Sequence, residues 1–132
     1  MIAIDSSAIV AILKDEPDGA LFAGVLSSED WLIGAPTVLE IYSVARRQGS
    51  PIDLEILDDI FSYPAGQIVP FALEHLQFSK GAFDRYGKGR GHPAQLNFGD
   101  CMAYAIAKAH RVPLLFKGNE FSLTDIEPAY LP

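Results

Sequence analysis

The stretch that decides the fold is residues 1–13, MIAIDSSAIVAIL, in which a short apolar run is followed by one aspartate and a second apolar run. The first run predicts a buried strand that ends at Asp5, and Ser6 or Ser7 can cap a helix through the second run. A buried carboxylate costs free energy unless something pairs with it. Asp5 is therefore either a helix cap or a residue held at this position for its charge.

The alternation of short apolar runs and helical segments continues along the whole chain. Further strands are predicted at WLIG (31–34), QIVPF (67–71) and VPLLF (112–116). Such alternation implies right-handed β-α-β crossovers and a mainly parallel sheet of four to five strands in an α/β fold. No linker or repeat divides the sequence, so residues 1–132 are expected to form a single domain.

Composition excludes several functional classes. No apolar run approaches the ~18 residues of a membrane span, so no membrane association is expected. The single cysteine cannot form an internal disulfide, which favours a reducing, cytoplasmic location. The net charge of −7 argues against simple electrostatic binding to nucleic acid. It does not exclude a nuclease whose acidic groups gather around metal ions, because bound cations reverse the local field.

Several carboxylates are predicted to meet at one edge of the sheet. Sites in parallel α/β sheets form outside the carboxyl ends of the strands, where Asp5 and the pair Asn119 and Glu120 lie. Glu40 lies about one turn into a helix and is either solvated or turned toward that edge. Asp100 heads a stripe of small and apolar residues, so it either faces inward or is a first-turn acid favoured by the helix dipole.

A divalent cation would make this crowding of acids tolerable. Like charges gathered at one point repel one another, and bound metal removes the objection. Mg²⁺ and Mn²⁺ prefer oxygen ligands and need neither histidine nor cysteine. A metal-bound water is easier to deprotonate and can attack a phosphodiester. The pattern is therefore compatible with metal-assisted hydrolysis of a phosphodiester.

Two segments carry a family resemblance: LNFGDCMAYA (96–105) and PLLFKGNEF (113–121). Together with the opening Asp-Ser-Ser and Glu40 they resemble the PIN-domain family, and among its members VapC-type toxins. The resemblance implies a three-layer α/β/α sandwich and a metal-dependent endoribonuclease of a type II toxin–antitoxin system. It also implies that Asp5, Glu40 and Asp100 are the principal acidic positions that collect Mg²⁺ or Mn²⁺.

The resemblance extends to two further positions of the site. Ser6 matches a hydroxyl position beside the metal. The family often carries a fourth acid within Gly-Asp-Asp-Phe, where this chain has Asn119 followed by Glu120. Three alternatives follow: Glu120 supplies the catalytic charge, Asn119 contributes a neutral oxygen, or the site works with three acids.

The remaining expectations concern partners. The loop containing Lys88, Arg90 and His92 is the basic cluster nearest this region, and it either grips RNA phosphates or is an ordinary solvated loop. The resemblance implies a homodimer and a cognate VapB-type antitoxin that blocks the cleft. A rival hypothesis is a PIN-fold module that pairs with an antitoxin without catalysis, which the Asn119 departure favours. His75 is expected on a helix surface.

Overall fold

A single parallel sheet organises the chain, seen in a computed structural model that describes residues 1–130. Its strands have the order β3-β2-β1-β4, so the first strand of the chain lies inside the sheet. All three strand pairs are parallel. The strands are β1 (Ile2–Ile4), β2 (Trp31–Gly34), β3 (Gly66–Val69) and β4 (Leu114–Leu115).

Helices cover both faces of this sheet. They are α1 (Ser6–Leu13), α2 (Gly19–Ser28), α3 (Ala35–Ala45), α4 (Leu54–Phe61), α5 (Leu73–Tyr86) and α6 (Phe98–His110). A short 3₁₀ turn follows at Phe121–Leu123. Within residues 1–130, no helix is long and apolar enough to cross a membrane.

Alternation along the strands divides the core into two layers. Ile2 and Ile4 of β1 pack into one apolar cluster with side chains of α1 to α4. Ala3, which lies between them, packs into a second cluster with side chains of α5 and α6. Trp31 and Leu32 of β2 divide in the same way, as the two-residue period of a strand requires. The three-layer parallel α/β/α architecture is confirmed.

β4 is paired along both of its edges. On one side it joins β1, with Ala3 opposite Leu114. On the other side, the Leu114 N–H donates to Glu127 O at 2.9 Å and the Ala129 N–H donates to Leu114 O at 2.8 Å. Pro128 completes this contact as a parallel bridge partner of Leu114. The C-terminal segment therefore lies along the outer edge of β4.

Candidate metal centre

The topology brings distant acidic residues to one edge of the sheet. Asp5 directly follows β1, and the turn at residues 117–120 follows the neighbouring strand β4. Asp100 lies in the first turn of α6, which packs against β1, and Glu40 lies in α3, which packs against α6. Because parallel strands end at the same edge, residues more than 100 positions apart become neighbours.

Asp5 is a buried helix cap with one oxygen left over. Its Oδ2 accepts hydrogen bonds from the Ser7 N–H at 3.0 Å and the Ser7 hydroxyl at 2.6 Å, so Asp5 itself caps α1. The expectation that Ser6 or Ser7 would be the cap is wrong. The residue is only 3% exposed, and within residues 1–130 its buried Oδ1 has no hydrogen-bond partner. Asp5 is thus both a cap and a residue with a free, inward-facing carboxylate oxygen.

Burial and neighbouring acids shift the protonation of this carboxylate. Burial raises the pKa of Asp5 to about 7, against the lowering effect of the Ser7 hydrogen bonds. The negative charges of Asp100 and Glu40 raise it further. Burial also raises the pKa of Asp100, with smaller contributions from Glu120 and Glu40. The four carboxylates therefore form one electrostatically coupled group.

Glu40 turns toward the start of α6 rather than into solvent. A Cβ atom placed on Gly99 would collide with the Glu40 Oε2, so the carboxylate lies directly against the backbone next to Asp100. Glycine at position 99 therefore makes room for Glu40. Asp100 is in turn fixed by a capping box, since its Oδ2 accepts the Asn97 N–H at 3.0 Å while Asn97 Oδ1 accepts the Asp100 N–H at 2.8 Å.

The turn after β4 separates the two residues that could replace the family's fourth acid. Glu120 acts on Asp100 electrostatically and therefore belongs to the acidic group. Asn119 instead lines a separate cavity with Phe116 and Lys117. Among the sequence alternatives, this geometry favours Glu120 as the fourth carboxylate.

Ser7 carries a hydroxyl whose contacts sequence reasoning did not anticipate. Its Oγ donates to Asp5 and accepts the Lys117 N–H at 2.9 Å, which ties α1 to the turn after β4. Ser6, the residue expected beside the metal, is half-buried and makes no side-chain hydrogen bond within residues 1–130. The sequence signal for Ser7 was its position two residues after Asp5, the N-cap of α1, where a side chain readily hydrogen-bonds to the capping residue.

The basic loop between α5 and α6 is partly structural. The His92 Nδ1 accepts the Ala94 N–H at 3.0 Å, and its ring packs edge-on against Tyr86 with centroids 4.9 Å apart. Lys88 and Arg90 are exposed. The loop leads directly into α6, so these two exposed cations lie on the segment that precedes Asp100, while His92 shapes the loop.

The oxygen ligands of this group suit a hard divalent cation, although they are not arranged in a complete coordination geometry. Among residues 1–130, no three His, Cys, Asp or Glu side chains lie close enough to hold a metal ion as they stand. Glu40 is half-buried and Glu120 is exposed, so these two side chains have room to rotate, whereas the capping box holds Asp100. The buried oxygen of Asp5 that has no partner within residues 1–130, near enough to Asp100 and Glu40 to be affected by their charges, is the feature that a cation with oxygen ligands satisfies.

This fold and acidic edge define a PIN domain. The family model described as PIN domain matches residues 2–127, and the chain belongs to that family. Ribonuclease VapC28 of Mycobacterium tuberculosis is 39% identical over 127 residues, with 96% of each chain covered. Ribonuclease VapC of Mycolicibacterium smegmatis is 41% identical over 126 residues, covering 93% of this chain and 95% of that protein. Within the family, the chain therefore groups with VapC-type members, as its motifs predicted.

Solved structures agree on the fold. M. tuberculosis VapC20, described as a sarcin-ricin loop cleaving toxin, aligns with a TM-score of 0.71 at 10% identity over 96% of both chains. A chain from a Klebsiella pneumoniae toxin–antitoxin complex aligns with a TM-score of 0.69 at 15% identity, covering 92% of this chain and 91% of that one. At such identities the likeness concerns the architecture alone.

Proposed function

We propose that this protein is a metal-dependent endoribonuclease and the toxin of a type II toxin–antitoxin pair. The observation that carries the proposal is the buried Oδ1 of Asp5, which has no hydrogen-bond partner within residues 1–130 and belongs to a carboxyl whose pKa is raised by burial and by the charges of Asp100 and Glu40. Isolated burial of this kind is costly and is expected where a cation binds. The ribonuclease names of its close relatives support RNA as the substrate.

Each residue of the acidic group has a distinct part in this proposal. Asp5 and Asp100 hold Mg²⁺ or Mn²⁺, and Glu40 and Glu120 bind directly or through water and orient the attacking water. The metal supplies a water that deprotonates readily and offsets charge on the leaving oxygen of the phosphodiester. Ser7 donates to Asp5 Oδ2, which would leave Oδ1 available as a ligand for the cation. Lys88 and Arg90 attract RNA phosphates toward this edge.

The partners follow from the same family membership. We propose a VapB-type antitoxin that covers the acidic edge, a homodimer and a cytoplasmic location. Large exposed apolar side chains on α5 and α6, such as Leu73 and Phe98, support an additional protein contact. Light scattering of the purified chain tests the dimer, and co-purification with the product of an adjacent small reading frame tests the antitoxin.

A second candidate function is a PIN-fold binding module that pairs with an antitoxin without cleaving RNA. Asn119 at a position often acidic in the family favours it, and so does the absence of a ready-made ligand set of three within residues 1–130. The two candidates differ in one measurable property, which is metal-dependent cleavage.

The decisive experiment compares wild type, Asp5→Asn and Asp53→Asn on structured RNA with Mg²⁺, with Mn²⁺ and with chelator. Asp53 is a matched control because it also caps a helix, accepting the Glu55 N–H at 2.8 Å, but lies outside the acidic group. We expect wild type and Asp53→Asn to cleave only with metal and Asp5→Asn to fall to background. Equal cleavage by all three would refute the metal site. No cleavage by any of them on a broad RNA panel would favour the binding module.

A further inference from the structure

A cavity of about 390 Å³ opens beside the acidic group, on the other side of the turn that follows β4. Aromatic side chains from three parts of the chain contribute to its wall, namely Phe22, Phe116 and Tyr130. Tyr130 is 40% exposed, so part of its ring is open to contact. Two polar side chains of the turn region, Asn119 and Ser122, add hydrogen-bonding groups to the wall.

The cavity is separate from the acidic group, but consecutive residues of the turn after β4 connect the two. Gly118 adopts a φ of +104°, a conformation that side-chain-bearing residues rarely reach, and the chain reverses there. Glu120 then acts on Asp100, while Asn119 faces the cavity. A phosphate held at the carboxylates would therefore share the turn at residues 118–120 with this cavity.

The chemistry of the lining favours a neutral ring over a phosphate. The one cation at the rim, Lys117, is already paired with Glu16 and lies 3.3 Å from the Asp18 carboxylate. Asn119 is exposed, and its side-chain amide makes no hydrogen bond within residues 1–130. Its backbone carbonyl accepts the Ser122 hydroxyl at 2.7 Å, which holds the turn. An amide with a free donor and acceptor beside aromatic side chains matches a flat heterocycle with a hydrogen-bonding edge.

We propose that this cavity binds one unpaired nucleobase of the RNA, adjacent to the phosphate that is cleaved. Asn119 reads the Watson–Crick or Hoogsteen edge of the base, and Tyr130 with Phe116 supplies the apolar ring contact. The inference rests on the proposed ribonuclease function and adds a determinant of cleavage-site preference to it. In this protein Asn119 acts in base recognition, and Glu120 acts at the metal.

The test is the base preference at the cut, read by sequencing product ends from an RNA library with randomised single-stranded loops in Mn²⁺. For wild type we expect one position beside the cut to show a strong preference. Asn119→Ala should reduce that preference by about tenfold, the size of one good base-edge contact. Tyr130→Leu should raise KM by about tenfold with kcat nearly unchanged, since a stacking contact is lost. Gln67→Ala, on exposed β3, is the control and should match wild type.

A binding measurement separates this inference from the proposed function. Asp5→Asn without metal is titrated against labelled short RNAs that differ at a single base, with and without the additional Asn119→Ala change. Base-dependent affinity that Asn119→Ala removes supports the cavity even if no cleavage is found. Equal affinity for all bases, or a wild-type cleavage profile that Asn119→Ala leaves unchanged, overturns it. An Asn119→Ala effect confined to antitoxin binding would assign the cavity to the antitoxin and would overturn it too.

Discussion

A carboxylate group lies at the N-terminal end of α6 and a histidine pair lies at its C-terminal end, and the two differ in how their polar atoms are hydrogen-bonded. At its N-terminal end, Asp100 belongs to a group in which Asp5 Oδ1 has no partner within residues 1–130. At its C-terminal end, His110 meets His75 of α5, with their Nε2 atoms 3.3 Å apart and their rings tilted by 14°. His75 is only 6% exposed, so the expectation of a surface histidine is wrong.

Both ring nitrogens of the buried His75 have a hydrogen-bond partner, whereas the carboxylate group has one buried oxygen, Asp5 Oδ1, without a partner within residues 1–130. The His75 Nδ1 accepts the Ala72 N–H at 2.9 Å, so its proton resides on Nε2 and is donated to His110. That tautomer leaves no lone pair on His75 for a metal. Burial, followed by the nearby His110, lowers the pKa of His75, just as burial raises that of Asp5. Burial favours the neutral form of both Asp5 and His75. A buried polar atom without a hydrogen-bond partner is what distinguishes a ligand site from a structural contact.

The largest expected effect tests the carboxylate group near the N-terminal end of α6. With metal removed at pH 8, Asp5→Asn should increase the free energy of unfolding by as much as roughly 4 kcal/mol. The wild-type pKa is raised from 3.8 to about 7, so the folded state binds this proton more tightly than the unfolded state. Its stability contribution is therefore present at low pH and is lost as the pH rises through 7. Urea denaturation at pH 5 and pH 8 measures the change.

The gain should shrink by more than half at pH 5, where wild type regains most of this stability. Asp53→Asn should show neither effect. If Asp5→Asn were less stable than wild type at pH 8 without metal, burial of the ionised Asp5 carboxylate would not be destabilising the folded protein.

The next effect tests the histidine pair at the C-terminal end of α6. His75→Ala should lower the free energy of unfolding by about 2–3 kcal/mol, because it removes a buried ring and leaves the Ala72 N–H without its acceptor. His110→Ala should cost about 1 kcal/mol, since His110 is exposed and only one hydrogen bond is lost. Denaturation at pH 8 compares them. Equal losses would mean that the pair is not anchored through His75 Nδ1.

Acidification should change the stability contributions of Asp5 and His75 in opposite directions. The lowered pKa of His75 means that the unfolded state takes up this proton first, so its contribution is lost as the pH falls through about 6.5. In an Asp5→Asn background, which removes the opposing trend, the stability difference between His75 and His75→Gln proteins should shrink between pH 7.5 and pH 5.5. A constant difference over that range would contradict the assignment.

The smallest effect concerns the Ser7 hydroxyl, which connects Asp5 to the turn after β4. Ser7→Ala should cost about 1 kcal/mol through its lost hydrogen bonds. It should also reduce the rise in melting temperature that Mn²⁺ produces, because Asp5 is less well oriented. Ser50→Ala is the control, since its hydroxyl accepts the Ile52 N–H at 3.2 Å away from the site. An unchanged Mn²⁺ response in Ser7→Ala would remove Ser7 from a role in metal binding.

Sequence reasoning succeeded where local pattern and topology decide the outcome. The strand ends predicted that Asp5 and Glu120 would share an edge, because parallel strands finish together. The stripe of small and apolar residues after Asp100 predicted a helix there, and Asp100 lies in the first turn of α6. These inferences need only chain periodicity and the handedness of crossovers.

The missed features depend on packing between distant segments. The burial of His75 follows from its contact with His110, which lies 35 residues away. The part played by Ser7 depends on the Lys117 N–H, 110 residues away. The separation of Asn119 from Glu120 depends on how the backbone turns at Gly118. None of these leaves a periodic signal in the sequence.

The pairing of residues 127–129 with β4 has a consequence for solubility. Unpaired strand edges are templates for intermolecular β-pairing and aggregation. The protein's own C-terminal segment shields one such edge, while β3 lies at the other end of the sheet with Ile68 46% exposed. Proteolysis or truncation after residue 126 would uncover the shielded edge, so residues 127–129 protect the protein against self-association.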